Sequence, residues 1–411
     1  MRPISAIVLG AGSRGSIYAS YAKEHPEELQ IIAIAEPRAD RRNILADDLN
    51  LPDSARFASW QELLACTRMA DCAFVCTLDD DHTEPAIKAM ELGYHLLLEK
   101  PMSNTEEECR AILAAAKKTK RTLVVCHVLR YTPFYMTLKN LLDRGEVGEV
   151  VTINQIENVG YWHQAHSFVR GNWRTVRETS PMILQKSCHD MDIILWLMGK
   201  DCRRVQSFGS LRHFNAENAP EGAPERCLDG CAHATTCPYY APALYMDMNR
   251  TGWPVDVITT DLSEEGRRKA LKEGPYGRCV YRCDNDVVDR QVVNLEFEDG
   301  AVATFTMTGL TADFCRQIKI FGTKGQIEAN MGTKEITLHR FGEEKKRISI
   351  DAGDEISGHG GGDFGIMQDF IHILRDGGES RSSAEVSLQS HLICFAAEKS
   401  RNKNIVVELT V

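Results

Sequence analysis

Ile4-Ser5-Ala6-Ile7-Val8-Leu9 runs straight into Gly10-Ala11-Gly12-Ser13-Arg14-Gly15. A short apolar strand, a glycine-rich turn and then a helix form the fingerprint of a dinucleotide-binding βαβ unit. Gly10 would allow the tight turn out of the strand, Gly12 the close approach of a pyrophosphate, and Gly15 the packing of the helix on the sheet. The helix N-terminus at Ser13 and Arg14 offers free N–H groups and a positive dipole end to phosphates. A second apolar run, Leu29-Gln30-Ile31-Ile32-Ala33-Ile34-Ala35, ends at Glu36. That is about 20 residues past the last glycine, where an acidic side chain accepts hydrogen bonds from an adenosine ribose. The spacing predicts a nucleotide site.

At 411 residues the chain is long enough for two domains, or one domain with a large appendage. Its net charge of −10 argues against non-specific binding to nucleic acid or an anionic membrane. No apolar run approaches the roughly 20 residues that span a bilayer. A strand begins at once, with no basic leader and cleavage site, so a cytoplasmic location is expected. The 14 cysteines then read as core residues, free thiols or metal ligands rather than disulfides.

After Glu36, the arginines of Pro37-Arg38-Ala39-Asp40-Arg41-Arg42 bear on cofactor choice. Glu36 would repel a 2′-phosphate, whereas Arg38, Arg41 or Arg42 would accept one. The expectation is NAD, with NADP kept open. The apolar run Cys72 to Cys76 ends in Thr77-Leu78-Asp79-Asp80-Asp81-His82, and polar residues such as Thr77, Asp79 and His82 at the carboxyl end of a parallel strand line the ligand crevice of an open α/β sheet. His95-Leu96-Leu97-Leu98 is a further strand that runs into Glu99-Lys100-Pro101. Proline restricts the residue before it, so Lys100 is held in extended geometry, and its bond to Pro101 is open to the cis form.

The strand, the glycine turn and Glu99-Lys100-Pro101 together resemble the Gfo/Idh/MocA family, which includes glucose–fructose oxidoreductase and inositol dehydrogenases. The resemblance extends over most of the chain apart from about 213–285. It implies that Lys100 contacts both the nicotinamide region and the substrate hydroxyl, with Glu99 beside it. It also implies that His127, with Arg130 and Tyr131 at the crossover into a second domain, lies next to the nicotinamide. Tyr131 is thereby a candidate for substrate contact.

Gly160-Tyr161-Trp162-His163-Gln164-Ala165-His166 continues through Phe168, Arg170, Trp173 and Arg174 without amphipathic periodicity. Aromatic faces with fixed donors and acceptors suit a polyhydroxylated ring, which makes His163, His166, Arg170 and Trp173 substrate candidates. Ser180-Pro181 then opens a helix predicted to run to Gly199. Gln185, His189 and Asp192 fall at i, i+4 and i+7 on one face, with Lys186 on the flank. Titratable groups on a mostly buried helix need partners, and a hydride-transfer enzyme needs a base for the hydroxyl proton. His189 matches a histidine that the resembled family places in a comparable helix. The family's aspartate four residues earlier is replaced by Gln185, which brings Lys186 forward as a member of the proton network.

From about 213 to 285 the chain loses periodicity and carries Cys227, Cys231, Cys237, Cys279 and Cys283. Four thiolates from this set would hold a structural zinc, or an iron–sulfur cluster, with Cys283 competing for the fourth place. Beyond the insert, two strand pairs, a His359-Gly360-Gly361-Gly362-Asp363 turn and two helices complete the chain; the turn either brings His359 back to the substrate or acts as a hinge.

The expected fold is α/β: a Rossmann dinucleotide-binding domain over 1–127, then an α+β domain over 128–411 with a large, mostly antiparallel open sheet. The resemblance implies a homo-oligomer formed on that sheet. The leading function is NAD(P)-dependent oxidation of a secondary hydroxyl on a sugar, polyol or glycoside, with Lys100, His189 and Lys186 as the catalytic set. The alternatives are an NAD-dependent glycosidase that uses transient oxidation and elimination, and a non-catalytic cofactor sensor.

Overall fold

The computed structural model describes residues 2–351 and 359–409. Strands β1 (Ile4–Leu9), β2 (Leu29–Ala35), β3 (Arg56–Phe57), β4 (Cys72–Val75), β5 (His95–Leu98) and β6 (Leu123–Val125) form a parallel sheet in the order β3-β2-β1-β4-β5-β6. Residues 7–9, 72–75 and 96–98 are completely buried, as expected for strands covered by helices on both faces. The strand order reverses between β1 and β4. Ligands in such sheets sit at the carboxyl ends beside that switch point, where the glycine turn and Thr77–His82 face each other.

The second sheet contains β7 (Val150–Asn158), β8 (Cys202–Ser210), β9 (Arg290–Phe297), β10 (Val302–Thr308), β11 (Cys315–Gly322), β12 (Gly325–Asn330), β13 (Glu335–Arg340), β14 (Lys346–Ser349) and β15 (Val407–Glu408). Their order is β14-β13-β12-β11-β7-β10-β9-β8-β15, antiparallel throughout except for β10 beside β7. Along β9 buried and half-buried residues alternate, so one face meets helices and the other does not. The helices Cys188–Met198 and Ala384–Lys403 cover the buried face.

The last two long helices also complete the first domain. Ile366, Met367 and Phe370 of the Gly362–Asp376 helix, with Ala384 and Leu388, belong to the same core as β1 and β4. The Phe370 and Phe74 rings lie 6.2 Å apart. The C-terminal segment therefore clasps the nucleotide domain, and the two halves share side chains rather than a flexible linker.

Three features differ from the sequence reading. The aromatic stretch after Gly160 is a run of helical turns, Tyr161–His163, Gln164–Arg170 and Asn172–Arg174, rather than an open loop. The helix expected from Pro181 to Gly199 is broken into Met182–Gln185 and Cys188–Met198 at Lys186 and Ser187. The insert contains a regular helix, Glu264–Glu273, whose Ser263 hydroxyl accepts from the Gly266 N–H. One of its two buried residues is charged: beside Leu271, Arg267 is buried and donates to the carbonyls of Leu262, Tyr245, Asp247 and Arg250 at 2.8–3.2 Å. Hydropathy cannot register a helix that buries an arginine.

Between the helices and the second sheet lie paired charges. Arg316 and Glu157 are directly opposed on β11 and β7, and Arg316 Nε is 2.8 Å from both Glu157 and Asp190. Arg130 grips Asp192 with two bonds of 2.7 and 2.8 Å. Both partners are almost fully buried, and no other carboxylate among the described residues pairs with Arg130. Removing one member of such a pair strands the other charge. Asp192→Ala should lower unfolding free energy by about 3–5 kcal/mol; a urea midpoint unchanged from wild type would show that water reaches Arg130.

Candidate functional site

The glycine turn has the shape of a phosphate cradle. Gly10 has φ +99°, and a Cβ there would lie 2.4 Å from the Cys76 carbonyl oxygen. A Cβ on Gly15 would lie 1.9 Å from the Gly10 oxygen, so the helix can approach the strand only without side chains. Gly12 is different: its nearest neighbour in the Cβ direction is Arg41 Nη1 at 3.8 Å, which leaves an open face beside a cation. Glu36, 7% exposed, accepts from the Ala11 N–H at 2.9 Å and the Arg38 N–H at 3.0 Å. Arg38 pairs with Asp40, and Arg42 donates to the Glu36 carbonyl. Arg41 is therefore the arginine of the three placed at the turn.

Across the crevice, His82 ties its segment together through the carbonyls of Pro101 at 2.7 Å and Thr77 at 3.1 Å. The Thr77 hydroxyl donates to the Asp81 carbonyl. Asp79 reaches the second domain instead, accepting from Ser180 Oγ at 3.0 Å and Trp173 Nε1 at 3.4 Å. Burial pushes its carboxyl pKa up.

The Lys100–Pro101 bond is cis. Lys100 Nζ donates to the Gln185 carbonyl at 2.7 Å, and its backbone N–H donates to Glu99 Oε2 at 2.9 Å. The contact to Gln185 uses the backbone, and the helix break just after Gln185 frees that carbonyl. Glu99 Oε1 takes Arg14 Nε and the Tyr18 hydroxyl, each at 2.7 Å. Arg14 also pairs with Asp363. The Arg14 guanidinium is thus committed to two carboxylates and serves as a clamp.

His189 follows one turn after Gln185. It is 6% exposed, its ring stands 5.7 Å from His127 and 6.2 Å from His359, and its Nδ1 has no hydrogen-bond partner among the described residues. Burial, reinforced by the charge of Lys100, pulls its pKa well below the usual histidine range. The imidazole is neutral and able to accept a proton. His127 is fully buried, 3.9 Å from Asp192, and burial brings its pKa down to about 4. His391 lies behind it: Nε2 accepts from the Met102 N–H at 2.9 Å, so Nδ1 carries the hydrogen that meets the Ser387 carbonyl at 2.6 Å. His359 bonds Asp363 at 3.0 Å, so the glycine segment does bring it beside His189.

Lys186 sits on the wall of this region. Its Nζ is 3.3 Å from Glu157 and 5.2 Å from the centre of the Phe314 ring. Burial lowers its pKa, against the pull of Glu157.

Other candidates from the sequence have partners elsewhere. The Tyr131 hydroxyl donates to Asp369 at 2.8 Å, and Asp192 holds Arg130. His166 Nδ1 lies 2.8 Å from the Tyr245 hydroxyl, with its ring stacked 4.9 Å from Tyr276. Arg170 donates to the carbonyls of Arg278 and Tyr239, both at 2.7 Å. These two residues pin the insert. His163 packs among Trp253, Phe314 and Phe168. The insert in turn reaches the nucleotide domain, where the Thr260 hydroxyl donates to Asp40 at 3.2 Å.

The expected metal is not shown. Cys227, Cys231, Cys237 and Cys279 line one small cavity, but all are free thiols, and among the described residues no group of three or more His, Cys, Asp or Glu is placed to hold an ion. Cys227 Sγ instead accepts from the Ala241 N–H at 3.5 Å and from Arg170 at 3.7 Å, and Cys283 donates to the Cys279 carbonyl. Burial pushes the thiols of Cys237, Cys279 and Cys283 up. Free thiols so placed pack as small hydrophobic groups, and neither zinc nor an iron–sulfur cluster is shown.

Residues 4–127 match the Gfo/Idh/MocA oxidoreductase family's NAD-binding Rossmann fold, and residues 139–409 match the family's C-terminal alpha/beta domain. YteT of Bacillus subtilis, which bears an oxidoreductase name, is 24% identical over 314 residues, 73% of this chain and 72% of that protein. Inositol 2-dehydrogenase of Salmonella typhimurium is 22% identical over 208 residues, 50% of this chain and 57% of that enzyme. The chain thus spans little more than half the length of that relative. Among solved structures, levoglucosan dehydrogenase in complex with NADH aligns with a TM-score of 0.74 at 18% identity, covering 100% of both chains. Aldose-aldose oxidoreductase from Caulobacter crescentus gives 0.70 at 15% identity, covering 99% and 100%. At such identities the structural likeness shows the fold alone. No helix among the described residues is long and apolar enough to cross a membrane.

The buried histidines have a measurable signature. In the unfolded chain a histidine titrates near 6.5, so ring-signal titration by NMR should find His127 half-protonated near pH 4 and His391 near pH 3. Because folding lowers both values, their contribution to stability is fully present above about pH 6.5 and is lost as pH falls towards those midpoints. Titration of both rings near 6.5 would show that the pocket is wet.

Proposed function

Because the chain belongs to the Gfo/Idh/MocA oxidoreductase family, we propose that it oxidises a secondary hydroxyl of a sugar, polyol or glycoside. The observation that carries this reading is Lys100 Nζ on the Gln185 carbonyl, one turn before the buried His189. The dinucleotide fits the residues present: the open face of Gly12 with Arg41 for the pyrophosphate, the Ser13 helix end for a phosphate, and Glu36 for the ribose. When bound, the nicotinamide supplies the hydride acceptor.

The chain's own residues do the rest. Lys100 has one N–H on Gln185 and others to offer the substrate oxygen, where they orient the hydroxyl and stabilise charge that develops on it. His189 takes the hydroxyl proton. Lys186 holds the wall with Glu157 and lies within reach of the proton network. The carboxylate of Glu36 disfavours a 2′-phosphate and supports NAD over NADP. Inositol 2-dehydrogenase and levoglucosan dehydrogenase among the similar proteins favour net oxidation over the redox-assisted glycosidase. Val151, Ile156, Phe208 and Val302 are exposed on the second sheet, which supports a homo-oligomer formed there.

The test is NADH or NADPH formation by purified enzyme with a panel of inositols, hexoses and glycosides. Cofactor that binds without being reduced by any of them would bring the sensor reading forward. Lys100→Ala and His189→Ala should each cost about 10²–10⁴ in kcat/KM, while cofactor binding to His189→Ala, read by fluorescence, persists. If either variant keeps wild-type turnover, that residue does not have its assigned role.

A further inference from the structure

A groove of about 710 Å³ opens between the helical turns after Gly160 and the insert. Its walls include Tyr161, Trp162, Tyr239, Arg250, Trp253 and Pro254. None of these is used by the chemistry above. The volume is that of a small-molecule site, and the lining has the matching composition of several aromatic faces with a few polar groups.

Two observations mark the groove as more than a packing defect. First, Trp253 is 44% exposed and Phe314 is 45% exposed, side by side with a half-buried Trp162. Large aromatic faces left open at a concavity are the exception on a soluble surface. Second, the groove is joined to the candidate active site by a continuous aromatic cluster. Trp253 packs on Trp162 at 5.2 Å and on His163 at 5.0 Å, His163 on Phe314 at 5.0 Å, and Phe314 under Lys186 at 5.2 Å. The cluster thus runs from the groove wall at Trp253 to the Lys186 side chain.

We propose that the groove binds the second ring of a glycosidic substrate, so that the hydroxyl oxidised at Lys100 and His189 belongs to one pyranose of a di- or oligosaccharide. This rests on the sugar-oxidation reading. The apolar C–H face of a pyranose stacks on Trp and Tyr rings, and its rim of hydroxyls suits the exposed guanidinium of Arg250, which is held 3.5 Å from Asp247. The segment over about 213–285, which supplies Tyr239, Arg250, Trp253 and Pro254 to the groove, is then the element that sets substrate length.

The experiment compares a free hexose, its methyl glycoside and its disaccharide as substrates of the holoenzyme and of Trp253→Ala, Trp253→Phe and Arg250→Ala. Tryptophan fluorescence follows disaccharide binding in parallel. Wild type should prefer disaccharide to methyl glycoside by tenfold or more in kcat/KM. Trp253→Ala should collapse that ratio, and Trp253→Phe, which keeps a ring, should restore most of it. Equal kcat/KM for the two substrates in wild type, or a ratio untouched in both Trp253→Ala and Arg250→Ala, overturns the proposal. Should Trp253→Ala fail to fold, Arg250→Ala and Trp253→Phe still read the ratio. Saturable disaccharide binding that weakens in these variants, without reduction of cofactor by any sugar, supports the groove and defeats the dehydrogenase. No saturable disaccharide binding and no turnover defeats both.

Discussion

One guanidinium holds the two halves of this protein in register. Arg14 leaves the glycine turn, reaches Glu99 at the end of the strand that carries Lys100, and pairs with Asp363 at the start of a helix from the far end of the chain. Burial opposes ionisation of both carboxylates, but the cation outweighs it and holds them below the usual range. Charge-assisted bonds in a poorly hydrated site are strong and directional, and a buried pair is costly to break once formed. The phosphate cradle, the candidate catalytic lysine and the domain that covers them therefore share a single fixed point.

The same logic of pairing runs through the rest of the interior. Asp192 is neutralised by Arg130, and Asp190 with Glu157 by Arg316 and Lys186. His127 and His391 remain neutral because burial makes charging them expensive. Lys100, like the buried Arg170 and Arg267, has a carbonyl partner and no ion pair among the described residues.

Local spacing made the cradle and the candidate catalytic pair legible. Gly10, Gly12, Gly15, Glu36, Lys100 and His189 announce themselves within short windows, because turn geometry and strand ends are set by neighbours in sequence. Arg14 was placed at the phosphates from that window alone, since its partner Asp363 lies 349 residues away. The pairing of Arg316 with Glu157 depends on sheet register and was invisible for the same reason. His166 and Arg170 read as ligand contacts because aromatic and cationic residues have the same composition whether a sugar or the insert's own Tyr245 hydroxyl and backbone carbonyls partner them. The break at Lys186 and Ser187 carries neither glycine nor proline, so local sequence does not announce it, and it leaves the Gln185 carbonyl to the Lys100 ammonium.

That break also explains how one lysine can serve two needs that oppose each other. A general base must be unprotonated before reaction, yet basic enough to take a proton when the hydroxyl gives it up. In the resting site, burial and the Lys100 charge hold His189 neutral. In the proposed reaction, negative charge would grow between Lys100 and His189 as the substrate oxygen loses its proton. That charge offsets the ammonium and raises the affinity of the imidazole for a proton at the moment of transfer. An aspartate at position 185 would cancel part of the lysine charge beforehand. With Gln185 there, and its carbonyl rather than a carboxylate on Nζ, the full ammonium field acts on His189 until the substrate itself neutralises it.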